Sequence, residues 1–529
     1  MIFSHNNLQI RKGWQLLFCF LICLNGSFSI IRNVLEWQVM GKWIGLFIMI
    51  NIVFIVVLIG SMIKSEYTIE LDKKAYSISM CLMNIAVASY CLMQALGLLK
   101  NYSSFCSIAD FDNPAGVASL LCVTFPFVFI FPNKNATSRT VAKIMLLIDV
   151  IVFFFIQSRM GLLTISVQTI IWMYMERDYF RGKKILSVLL FIAIIGFSLL
   201  FIRKMSSTNG RFLILRICWK MIEDDIWLGH GIHGFAREYM LYQADFMKQI
   251  DVQKLYMLTD NITHPLSEYV LVAINFGIIG LVSMLIISFG AFRLALKGNN
   301  RLFVIILFSG MALLSMFSYP FRYPMTFLAL GCCFLSSGID VWNKTSLVFK
   351  KMFSGIMAFV IIMFMTFFLS WYRANVIFCD AINMLYADKS CASFIRKNIL
   401  SKTDKMLIYN PHYLYSRAVI NFYAKDYDAA INDALNSSKQ ISNYNTELLL
   451  GSVFKESGQN DMAEMHYREA SYMCPSRITP LYCLFRLYEE LKDEMKMEEV
   501  GRELLSKPVK ISSPETRAMR LDVKRRVIW

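Results

Sequence analysis

The chain has 529 residues, 56% of them hydrophobic and only 17% charged, whereas an ordinary soluble domain carries about 25% charged residues. That balance excludes a soluble enzyme and predicts a membrane protein. A net charge of +16 would point a soluble chain toward nucleic acid, but much of the excess sits where membrane orientation requires it, so no nucleic-acid partner is expected.

In chain order, the apolar residues arrive in eleven blocks, at about 13–31, 44–63, 75–98, 114–132, 140–157, 160–175, 184–202, 267–291, 302–319, 323–339 and 351–371. Each is close to the length a helix needs to cross ~30 Å of hydrocarbon. The fifth and sixth are separated only by Ser158-Arg159. With a cytoplasmic N-terminus, the inner segments hold eighteen Lys and Arg residues and the short outer loops five, the asymmetry that orients helices in a membrane. Residues 203–266 and everything after Trp371 then lie on the outer side. The first block lacks a small-residue cleavage site and reads as a retained helix. Cysteine adds little: 13 are scattered without a Cys-x-x-Cys, and Cys379/Cys391 and Cys474/Cys483 are pairs that an oxidising compartment would allow to bridge.

Residues 1–202 read as scaffold except for Gln157-Ser158-Arg159-Met160-Gly161, which sets an arginine at the outer mouth of two helices. A charge at that depth usually has an anionic partner; the alternative is an arginine snorkelling to the interface. The polar chemistry concentrates in the long loop from Arg203, which contains three of the six histidines. Asn209-Gly210 reads as a turn, and the stretch after it is apolar at helical spacing, with Arg211 in its first turn and Arg216 and Lys220 on one side. Such an amphipathic helix, lying across the outer face of the membrane, either holds a phosphate near its N-terminus or rests on lipid headgroups.

Gly229, Gly231 and Gly234 resemble a dinucleotide fingerprint only in spacing, since no soluble strand precedes them. His230-x-x-His233 lacks helical support and a carboxylate spaced to orient it, so no metal is expected. His264 precedes Pro265 at the mouth of a helix with Glu268 four residues on and so one helical turn away, and histidine is the side chain best placed to exchange a proton near neutral pH.

These residues together resemble the O-antigen ligase and O-antigen polymerase superfamily. Gly210-Arg211, Trp219 and Leu228-Gly229-x-Gly231-x-x-Gly234-Phe235 look like its outer loop. His264-Pro265-Leu266-Ser267-Glu268-Tyr269 and Phe276-Gly277-Ile278-Ile279-Gly280-Leu281 are similar to its loop exit, and Ser158-Arg159-Met160-Gly161 to its Ser-Arg-Gly element. The sequence departs from the family pattern at Ser267, where Asn is usual, at Asn275, where Glu is usual, and in the place of His264, two residues ahead of the usual histidine. The resemblance covers about 150–340 and implies an all-α, GT-C-like membrane glycosyltransferase. Such enzymes move a glycan from undecaprenyl diphosphate to an acceptor hydroxyl, on lipid A-core, a growing repeat unit or a protein, without metal or other cofactor. Under that resemblance Arg159, Arg211 and Arg216 are the diphosphate-binding candidates, and His264 is the candidate base, with Arg211 and Glu268 completing the catalytic group.

From about residue 372 the composition turns mixed-charge. Leu450-Gly451-x-x-Phe454, Ala463-x-x-x-Tyr467, Ala470 and Pro475 follow the spacing of a tetratricopeptide repeat. The predicted organisation is therefore a transmembrane domain over 1–371, with its catalytic loop at 203–266, and a periplasmic α-solenoid over 372–529. The solenoid is expected either to dock a protein partner on its concave face or to cap and solubilise the C-terminus. The competing function class is a glycan exporter or a non-catalytic assembly factor, but polar groups gathered in one outer loop, with few charges inside the apolar blocks, favour the enzyme.

Overall fold

The computed structural model describes residues 8–9, 68–69, 73–99, 113–130, 136–180, 205–249, 253–298, 300–323, 326–327, 329–331, 333, 347–510 and 512–527. Apart from a two-residue antiparallel ladder pairing Leu8–Gln9 with Thr68–Ile69, the regular structure among these residues is helical. The chain forms two compact units, one of residues 1–205, 266–269 and 282–366, the other of residues 206–265, 270–281 and 367–529.

The first unit is built on α1 (Lys73–Ala95), α2 (Pro114–Thr124) continued by a tighter turn at Phe125–Ile130, α3 (Ala136–Phe155) and α4 (Arg159–Met175). Local chemistry sets the boundaries. Asn113 accepts from the amides of Ala115 (2.8 Å) and Gly116 (3.2 Å) ahead of Pro114, a side-chain cap followed by the residue that lacks an amide to satisfy. The closely spaced fifth and sixth blocks separate at Ser158, whose hydroxyl accepts from the Gly161 amide at 3.1 Å. Close approach requires small residues here: a Cβ on Gly161 would lie 2.7 Å from the Phe153 ring. The core is apolar, with Phe127 edge-on to Phe303 at 5.0 Å, but it encloses polar groups. Asn84 donates to the Leu121 carbonyl (3.2 Å), the Thr124 hydroxyl (3.1 Å) and the Asp149 carboxyl (3.3 Å). Asp149, fully buried, is a group that the reading of residues 1–202 as scaffold passed over.

Further along the chain come α5 (Met205–Asp224), α6 (Gly234–Gln249), α7 (Glu268–Ala295), α8 (Arg301–Phe317) and α9 (Leu347–Ala387). Seven of the eleven predicted apolar blocks correspond to these and the preceding helices; those at 13–31, 44–63 and 184–202 lie outside the described residues, and 323–339 is described only in part. By length and composition, Glu268–Ala295 and Ala358–Ala387 suffice to cross a membrane, and Met80–Ala95, Pro114–Ile130 and Arg301–Phe317 are shorter apolar helices. The predicted domain boundary at residue 371 falls inside α9, which continues unbroken to Ala387.

In the second unit the C-terminal helices pair as α10 with α11 (Pro411–Tyr423, Tyr427–Ser438), α12 with α13 (Tyr444–Glu456, Asn460–Met473) and α14 with α15 (Thr479–Leu491, Glu494–Ser506), and each pair packs on the next, followed by α16 (Pro514–Val527). Asn410, Asp426, Asn443 and Asp493 cap α10, α11, α12 and α15 through their side chains. Gly451 permits a close crossing of α12 and α13, since a Cβ there would lie 2.5 Å from the Tyr467 ring. Cys379, Cys391, Cys474 and Cys483 are all free thiols, so neither pairing that the sequence allowed is formed.

Candidate functional site

Helix α5 opens the loop and differs from expectation at its start. It begins at Met205, so Asn209 and Gly210 lie inside it and Arg211 is past the first turn. Leu213, Ile214, Ile217, Cys218 and Met221 form a buried stripe, and burying it outweighs the roughly 1 kcal/mol that an interior Gly costs. Arg211 is thereby removed from the free amides of a helix N-terminus. Arg216 is exposed and holds its guanidinium over the Phe246 ring, 5.1 Å from the centroid.

After α5 the chain makes a tight turn that docks on α7. The α7 ladder breaks at Gly277, which has φ +63° and ψ −166°, a conformation open essentially to glycine alone. The break frees carbonyls and amides on both sides. The His230 amide donates to the Ile274 carbonyl (2.8 Å) and the Gly231 amide to the Asn275 carbonyl (2.9 Å), while the Ile278 amide donates to the Ile226 carbonyl (2.8 Å). Gly229, at φ +68°, faces Gly277 so closely that a Cβ on Gly229 would lie 2.5 Å from the Gly277 nitrogen, and one on Gly277 2.2 Å from the Trp227 oxygen. The two glycine motifs of the sequence are thus halves of one joint. Asn275 completes it by accepting from the Phe235 amide (3.0 Å) at the start of α6.

His230 is fixed by this joint, and here the sequence reading is corrected. A carboxylate does orient it: Glu238 meets Nδ1 at 2.6 Å, and Nε2 meets the Met221 carbonyl at 2.7 Å. Glu238 lies one helical face into α6, a relation invisible in the local spacing. With both ring nitrogens engaged, His230 ties α5 to α6.

The return segment runs from Thr259 to Ser267 without regular structure. His264 is half-buried on it, ahead of Pro265 and of Leu266 at φ +60°. Glu268 is the first residue of α7 and accepts from the Phe321 amide at 3.2 Å. His264 therefore does not stand one helical turn from Glu268 as expected, because the intervening residues are not helical. Arg211, Arg216 and His264 share the second compact unit, whereas Arg159, at the first position of α4, and Glu268 belong to the first.

The segment just before His264 is gripped by groups that the sequence did not single out. Asp260 accepts from Arg477 (2.8 Å) and Lys510 (3.0 Å). Partial burial pushes its carboxyl up, but the hydrogen bonds from Lys510 and the Asn261 amide, the Lys510 charge and the Arg477 hydrogen bond outweigh this and hold it below the usual carboxylate range. The buried Gln243 amide donates to both the Asp260 carbonyl (3.0 Å) and the Met473 carbonyl (2.6 Å).

Comparison with known proteins adds one match. Residues 144–285 match the family described as O-antigen ligase, a stretch that contains Arg159, the glycine joint, His264 and Glu268. No curated protein matches the chain.

Proposed function

We propose that this protein is a membrane glycosyltransferase of the O-antigen ligase type, moving a glycan from undecaprenyl diphosphate to an acceptor hydroxyl of lipid A-core on the periplasmic face of the inner membrane. The observation that carries the reading is that one family-matched segment holds Arg159, at the start of α4, and also the loop pinned by the Gly229–Gly277 joint, which carries Arg211, Arg216 and His264. Transfer from a lipid diphosphate needs cations on the leaving group, because negative charge develops there as the glycosidic bond breaks. Arg159 and Arg211 take that role, with Arg216 as a third candidate whose guanidinium rests on Phe246. His264 accepts the acceptor hydroxyl's proton as the oxygen attacks, and Glu268 is the alternate base. No cofactor or metal is required by these roles.

The orientation is supported by packing. Residues 206–265 and 367–529 belong to one compact unit, which is compatible with the single outer compartment that the charge asymmetry predicts for an odd number of crossings. The C-terminal helical pairs support the reading of residues 372–529 as a tetratricopeptide-like stack.

Deleting the gene in its host and resolving the surface glycan on a gel tests the reading. Loss of all attached chains on lipid A-core supports a ligase. Attachment of single repeats identifies a polymerase, and unchanged lipopolysaccharide with altered glycoproteins identifies a protein O-oligosaccharyltransferase. An unchanged envelope glycan and glycoprotein pattern rejects the enzyme class in favour of an exporter or assembly role.

A further inference from the structure

We propose that the C-terminal helical stack is a positioning element of the transfer site: the linkers between its helical pairs clamp residues 259–261 and thereby set where His264 stands. The inference rests on the assignment of His264 above, but its structural half is independent of it. Three successive linkers contribute. Ser442 and Asn443, between α11 and α12, take the Ala236 carbonyl (Ser442 amide, 3.0 Å) and the Asn261 side chain (3.2 Å). Arg477, between α13 and α14, binds Asp260 while its guanidinium lies 5.0 Å from the centroid of the Tyr444 ring. Lys510, between α15 and α16, reaches both the Asp260 carboxylate (3.0 Å) and the Thr259 carbonyl (3.3 Å).

The clamped segment has no regular structure of its own between Thr259 and Ser267, so its path is set by outside partners rather than by a backbone ladder. The grip is also redundant in kind. Two cations hold the Asp260 side chain, and Gln243 holds its carbonyl from α6 while binding the Met473 carbonyl at the end of α13. Loop helix, return segment and stack are thus joined through one buried amide. A base held on an irregular segment must be fixed to well under 1 Å for transfer to proceed, and roughly 100-fold is lost when it is not. A stack engaged through its linkers in this way acts on the loop itself, whatever else its helical faces bind.

The test uses the full-length protein reconstituted in lipid, with hydrogen exchange of peptide 257–266 and transfer kinetics measured on the same preparations. Asp260→Ala should speed exchange of that peptide by roughly tenfold or more and lower kcat by roughly 10- to 100-fold with KM for the carrier unchanged; Asp260→Glu should recover part of both. Lys510→Gln removes one of the two cations and should give a smaller change of the same sign, which keeps the test informative if Asp260→Ala does not fold. Arg502→Ala, on an exposed pair with Glu498 in α15, should change neither. Unchanged exchange in Asp260→Ala and Lys510→Gln overturns the clamp. Faster exchange with normal kcat overturns the positioning role, and His264→Ala run alongside then separates the causes: if it too transfers normally, the assignment of His264 has failed; if it is inactive, only the positioning inference has.

Discussion

Replacing Gly277 by alanine should release the loop. Alanine at φ +63° and ψ −166° costs about 1–3 kcal/mol in backbone strain. Its Cβ would lie 2.2 Å from the Trp227 oxygen and 2.3 Å from its carbonyl carbon, main-chain atoms that cannot rotate away. If the chain yields by closing α7 into a regular helix, the Ile274 and Asn275 carbonyls are withdrawn from His230 and Gly231, at about 1 kcal/mol for each hydrogen bond. The strain burdens only the docked loop, while the hydrogen bonds are lost on opening in parent and variant alike, so about 1–3 kcal/mol acts against docking, or roughly 5- to 150-fold in local opening, at ~1.4 kcal/mol per decade. The assay is hydrogen exchange of peptides covering 226–235 in the purified protein. Gly290→Ala is the matched control: it lies in the same helix, and a Cβ there would meet nothing within 4 Å, so it should be neutral or slightly stabilising by ~0.5–1 kcal/mol. Equal protection of 226–235 in the Gly277→Ala, Gly290→Ala and parent proteins would refute the joint.

Other expectations follow from the same geometry. Lysine at Arg159 or Arg211 keeps the charge but not the two-pronged donor set, so each variant should lose most transfer activity at normal protein level; full activity in both would assign these side chains to the lipid interface. His264→Ala should lower transfer by about 10²–10⁴-fold while leaving carrier binding intact, and a loss of only a few-fold would point to Glu268. Burial holds the His412 imidazole below its ordinary range. Because its folded value lies below the unfolded value of about 6.5, its contribution to stability is complete above that pH and fades as pH falls toward the folded value. Thermal unfolding followed from pH 8 to pH 5 should show that loss in the parent and less of it in His412→Gln.

Much of the helical plan was legible, because apolar runs and caps are local signals. The blocks at 267–291 and 302–319 correspond to Glu268–Ala295 and Arg301–Phe317, and Leu450, Gly451, Ala463 and Tyr467 lie buried in two successive helices. What sequence missed depends on contacts distant in the chain or on burial overriding propensity. Asn209-Gly210 carries a turn signal, yet the buried stripe from Leu213 to Met221 extends the helix through it. Asn275 looked like a departure from the family pattern, and its side chain instead caps the start of α6 across 40 residues of sequence. Asp260 carried no signal at all, since Arg477 and Lys510 lie 217 and 250 residues away.

The central claim is lipid-linked glycan transfer, and its most direct test is reconstitution of the purified protein with a labelled glycan on undecaprenyl diphosphate and a lipid A-core acceptor. The account predicts that label moves to the acceptor as undecaprenyl diphosphate is released in equal amount, and that both events are lost together in His264→Ala. Carrier that stays intact beside a competent acceptor, with the full-length protein folded in the membrane, would contradict it.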